Sequence, residues 1–174
     1  MLSQAEHDPQ ASSLLITSDK ELAGAVEQEL ASQTASLPRS DVAARSLEDW
    51  GGLIITQDLD MGFDLVNRLA PEHLELALAD PWTQVGKVRN AGAVFMGDFC
   101  PEPVGDYFAG PNHVLPTMGT ARFSSALSVD NFIKKTSIIA ASPDYIRSNN
   151  DSIARLARLE GLEAHARSVE SRLK

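Results

Sequence analysis

Short β-branched runs separated by one-sided helical patterns occupy the first hundred residues, and that alternation restricts the fold more than any other feature of the chain. Ser13-Leu14-Leu15-Ile16-Thr17 reads as a buried strand closed by Ser18-Asp19, a helix start. A helix over 19–32 follows, its Leu22, Ala25, Val26 and Leu30 recurring at three- and four-residue spacing. Leu53-Ile54-Ile55-Thr56 reads as a second strand, 60–69 as a helix, 73–78 as a third strand and 91–97 as a fourth. Strands joined through helices pair in parallel, so the expected fold class is α/β: a partial Rossmann-like, mixed or parallel sheet flanked by helices. A fifth strand is expected over 133–140, at an edge because of Lys134 and Lys135. Ser142-Pro143 opens a helix that Gly161 stops, and a further helix reaches the terminus. The expected organisation is an incomplete α/β domain over 1–142 and a two-helix tail over 143–174. That tail is too short and polar to hold a core alone, so it should dock on something.

The chain has 174 residues, 43% of them hydrophobic, enough for one sizeable core. Its 24 acidic against 15 basic residues give a net charge of −9, which disfavours nucleic acid and anionic membranes as partners and suits cations. One cysteine, Cys100, allows no intrachain disulfide, and the amino terminus has neither a basic start nor an apolar run. A cytoplasmic protein that neither enters nor crosses a membrane is expected.

Each of the four histidines stands near a carboxylate or amide: Gln4 with His7, Glu72 with His73, Asp106 and Asn112 with His113, and Glu160 with His165. A metal site or an acid–base site is the leading reading. Gln4 and His7, three apart, share a face if helical and can converge on one ion; as bare residues such a pair is far more often exposed helix surface. Asp106 follows Gly105 in a segment rich in glycine and proline, 105–117, where the backbone can approach a metal or substrate closely, or where the aspartate simply fixes a turn. Glu72 and His73 are adjacent, so on a strand they point opposite ways, whereas a turn after Pro71 would bring both to one cleft. Asn112 either braces its loop or touches a ligand.

Taken together, Gln4-Ala5-Glu6-His7-Asp8-Pro9, Ala70-Pro71-Glu72-His73-Leu74-Glu75, the 105–117 segment, Ser124-Ser125-Ala126-Leu127-Ser128-Val129 and Glu160-Gly161-Leu162-Glu163-Ala164-His165 closely resemble histidinol dehydrogenase. The resemblance runs from Leu2 to about Arg167 and implies a carboxy-terminal portion of a chain about twice as long. It implies zinc- and NAD-dependent oxidation of L-histidinol through L-histidinal to L-histidine. Gln4, His7 and Asp106 of one protomer and His165 of its mate would hold zinc and meet substrate in a homodimer with exchanged tails. His73 would be the base that takes the alcohol proton and Glu72 the activator of water, with His113 and Glu160 contacting substrate. The residues holding NAD would lie upstream, in keeping with the lack of any Gly-x-Gly-x-x-Gly segment. A separate amino-terminal half would be a further partner. The alternatives are a zinc- or histidinol-binding module without oxidoreductase activity, and a remnant that only dimerises.

Overall fold

The computed structural model describes residues 1–173, in two compact units, Met1–Asn131 and a second beginning at Phe132. The first unit opens with a single helical turn α1 (Leu2–Ala5), then β1 (Ser13–Thr17), α2 (Lys20–Thr34), α3 (Ser40–Trp50), β2 (Gly51–Ile55), α4 (Leu59–Leu69), β3 (His73–Leu76), the short α5 (Pro81–Gln84), β4 (Ala93–Met96) and α6 (Glu102–Tyr107). Asp19 starts α2 by accepting from the backbone N–H groups of Glu21 and Leu22, and Asp58 starts α4 by accepting from that of Met61. At the other end of α4 a left-handed Ala70 and then Pro71 stop the helix and turn the chain into β3.

Both strand pairings are parallel, as helix-linked strands require, but they form two separate two-stranded ladders rather than one sheet, β1 with β2 and β3 with β4. The second ladder positions the site. Its register sets His73 beside Ala93, Leu74 beside Val94, Glu75 beside Phe95 and Leu76 beside Met96. Side chains alternate along a strand, so one face carries Leu74, Leu76, Val94 and Met96 and the other His73, Glu75 and Phe95. The apolar face packs under α4, where Phe63, Val66, Leu74 and Leu76 form the core with Ile16, Leu78, Val85 and Val88 around them. The ends of this layer are tied by Asn67. Its Nδ2 donates to the Lys87 carbonyl at 2.9 Å, and its Oδ1 accepts from the N–H groups of Arg89 and Asn90 at 2.7 and 3.2 Å.

Two sequence expectations need correction. The span 133–140 contains no strand: Ile138 and Ile139 are almost wholly exposed, and β-branched side chains favour a strand through packing and burial that these two do not gain. The segment after β4 is not irregular throughout, because Asp106 sits in α6.

In the second unit, α7 (Pro143–Leu159) is capped by Ser142 and followed by α8 (Glu163–Glu170). Buried Ala154 and Ala166 bring the two helices close. Arg158 reaches Glu163 and Glu170 at 3.0 and 2.9 Å, and Arg167 reaches Glu163 at 2.9 Å. Arg158, then Arg167, hold the Glu163 carboxyl below its ordinary range. Among the described residues no helix is long and apolar enough to cross a membrane.

Candidate functional site

The polar face of the second ladder is covered by α6, and three contacts fix how it lies. Glu75 Oε1 accepts the N–H of Glu102 at 3.0 Å. Gly105 rests on the buried ring of Phe95; a Cβ there would stand 2.6 Å from ring atom Cε1. His73 Nε2 faces Asp106 Oδ1 at 3.9 Å. The start of α6 thus meets Glu75 and its end meets His73, so the helix runs antiparallel to β3. The close approach that Gly105 permits is to an aromatic ring, which brings Asp106 over the strand.

His73, Glu102 and Asp106 gather at the end of this contact, with one ligand atom from each lying within 4.8 Å of the others. His73 Nε2 is buried with no hydrogen-bond partner among the described residues, an arrangement that costs free energy unless a proton carrier, substrate or ion completes it. The ring of His73 leans on Phe95, centroids 5.9 Å apart. The Glu102 carboxyl is pushed above its ordinary value by burial, and then by a hydrogen bond to Asp106 and that group's charge. His73 and His7 pull it the other way. A carboxyl raised above its ordinary value beside another carboxylate and an imidazole is an arrangement that can pass protons. The same nitrogen and oxygen donors suit a divalent cation such as zinc.

Of the residues singled out in the sequence, His73 and Asp106 meet directly, and His7 is close enough for its charge to act on Glu102. Gln4 lies on α1, half-buried, while His7 stands just past that helix, its N–H bonded to the Gln4 carbonyl at 3.3 Å. Glu72 occupies the bend before β3, half-buried, its carbonyl accepting from Ala93 at 2.9 Å. Gly92 makes this junction possible, since a Cβ there would come 2.6 Å from the Glu72 oxygen. His113 is exposed, and Asn112 braces its own loop by accepting from the Val114 N–H at 2.7 Å. In the second unit, Glu160 ends α7 and His165 lies on α8, both exposed. The cluster occupies the face of the ladder near the amino end of β3, not the carboxyl ends where open α/β sheets usually collect ligands. Glu102 was missed by sequence reading. Its signal was the four-residue spacing from Asp106, which aligns two carboxyls on one helix face once 102–107 is known to be helical.

Fold and cluster together define a class: an α/β protein with an imidazole–carboxylate site of the kind used for proton transfer or cation binding. The sequence model of one family, histidinol dehydrogenase, matches residues 1–173. A histidinol dehydrogenase of Oleidesulfovibrio alaskensis is 64% identical over 173 residues, covering 99% of this chain and 40% of that protein. One from Geobacillus kaustophilus is 56% identical, with 99% and 41% covered. The crystal structure of histidinol dehydrogenase from Elizabethkingia anophelis superposes with a TM-score of 0.89 at 35% identity, over 99% of this chain and 40% of that one. The chain belongs to the histidinol dehydrogenase family, oxidoreductases of histidine biosynthesis. It spans about two fifths of the length of the relatives it matches.

Proposed function

We propose that the chain supplies the proton-handling and metal-binding portion of a histidinol dehydrogenase, which oxidises L-histidinol through L-histidinal to L-histidine with two NAD reduced. The observation that carries this reading is the buried, unpartnered Nε2 of His73 facing Asp106 at 3.9 Å. In the first oxidation His73 would take the proton of the alcohol oxygen as the carbon bearing it gives up hydride, the electron acceptor being the nicotinamide when bound. In the second, Glu72 would take a proton from water as it adds to the aldehyde carbon, and the hydrate so formed would give up an oxygen proton and a second hydride to become the carboxylate. Asp106, Gln4 and His7, with His165 from a second copy, would hold zinc, which when bound orients the amino alcohol as a template. Glu102, its carboxyl raised above the ordinary value by burial and then by Asp106, lies beside Asp106 of that set. His113 and Glu160 would contact substrate, a carboxylate suiting a cationic amine. Phe99, Phe108 and Met118, nearly fully exposed in the first unit, support docking against further protein, in keeping with a homodimer and with a separate portion that binds NAD.

A second reading rests on the His73, Glu102 and Asp106 donors alone: a zinc- or histidinol-binding module without oxidoreductase activity of its own. Metal analysis and calorimetry with L-histidinol, followed by NAD reduction with and without a supplied amino-terminal portion, separate the two. Binding with turnover only in the mixture is the expected result. Binding without turnover in either preparation selects the module, and a folded chain that binds neither zinc nor histidinol refutes both.

A further inference from the structure

We infer that Glu75 is a positioning residue for the His73–Glu102–Asp106 cluster, setting where α6 sits along β3. This rests on the reading of that cluster as the chemical centre. Glu75 and His73 are two apart on β3 and so project from the same face, about 6.6 Å apart along the strand. Glu102 and Asp106 are four apart on α6, about 6 Å along its axis. Two strand residues therefore match one helical turn, and a contact at either end fixes the other. At the amino end of α6 the Glu102 N–H has no intrahelical partner, and Pro101 provides no side-chain cap. Glu75 fills that role from the neighbouring strand, through a charge-assisted hydrogen bond of 3.0 Å. Phe95, the register partner of Glu75, supports Gly105 between the two ends.

Without Glu75, α6 keeps its covalent link to β4 through residues 97–101 and its seat on Phe95, but loses the hydrogen bond that holds the backbone of its first turn against β3. Asp106 and Glu102 then lose their fixed separation from His73. Because Glu75 is solvent-exposed, the effect is one of placement rather than of core packing.

The test uses the full chain and the variants Glu75→Ala, Glu75→Gln and Glu75→Asp. Cobalt(II) is titrated, and NMR follows the Glu102 amide and the His73 ring nitrogens without metal. Glu75→Ala should weaken cobalt binding by about 10–100-fold, the usual effect of removing a group that orients metal ligands, and should move both NMR signals. Glu75→Gln keeps an acceptor oxygen at the same reach and should restore binding and signals. Glu75→Asp keeps the charge but withdraws the oxygen, so it should resemble alanine more than wild type. Wild-type positions for both signals in Glu75→Ala overturn the inference, as does an aspartate variant that behaves as wild type while the glutamine variant does not. If wild type binds no cobalt, the metal reading of the site fails, and the two NMR signals still decide the role of Glu75.

Discussion

Gly105→Ala and Gly24→Ala make the same chemical change inside two helices, and the structure predicts opposite signs. At Gly105 the added Cβ would stand 2.6 Å from Phe95 Cε1 and 3.1 Å from Cζ. Ordinary carbon contacts begin near ~3.5 Å, so the ring or α6 must retreat by about 1 Å. The ring is buried and borders His73, leaving it little room to turn. Overpacking of this kind costs about 1–3 kcal/mol, while alanine returns roughly 0.5–1 kcal/mol of helix propensity. The clash wins, with a net loss of about 1–2 kcal/mol, or roughly 4 °C in Tm per kcal/mol for a unit of this size. At Gly24, in α2, a Cβ meets nothing within 4 Å, so only the propensity remains and the variant should gain about 0.5–1 kcal/mol. Urea unfolding followed by circular dichroism reads both variants. Adding Phe95→Leu to Gly105→Ala should recover part of the loss, because the two changes share one contact. A Gly105→Ala protein as stable as wild type, or a loss unchanged by the smaller residue at 95, would refute the account of how α6 is seated.

Asn67→Ala should cost about 2–4 kcal/mol, since it leaves the carbonyl of Lys87 and the N–H groups of Arg89 and Asn90 without their partner; an unchanged urea midpoint would show that water replaces the amide freely. Glu102 binds its proton more tightly folded than unfolded. Its contribution therefore makes stability fall as pH rises from the ordinary carboxyl value near 4.5 through the raised folded one. Glu102→Gln, which mimics the neutral acid, should flatten that part of a stability–pH curve measured by urea unfolding. A slope identical to wild type would mean that Glu102 titrates no differently in the two states.

Elements whose signal lies within a few residues were legible in the sequence. Ser13–Thr17 and the caps at Asp19 and Ser142 appear as their local chemistry dictates. The strand expected over 133–140 depends on a neighbouring strand that Ile138 and Ile139 do not find. Helix α3 was not singled out in the sequence, although Ala43, Ser46 and Leu47 fall at the three- and four-residue spacing of one buried face. His73 and Asp106 were singled out separately from residue type. Their meeting depends on Gly105 settling against Phe95, a contact between positions ten apart whose geometry no periodicity encodes. Glu75 lies on the exposed side of β3, yet α6 reaches it there, a contact with a segment 27 residues on that the strand's own alternation does not encode.

The alternation of β3 also acts as a form of proofreading. A slip of one residue against β4 would bury His73 and Glu75 beneath α4 and turn Leu74 and Leu76 outward. A misaligned molecule therefore cannot persist as a stable but inert lookalike, because the error that displaces the imidazole also unseats the hydrophobic layer. Assembly and chemical competence are checked by the same four residues.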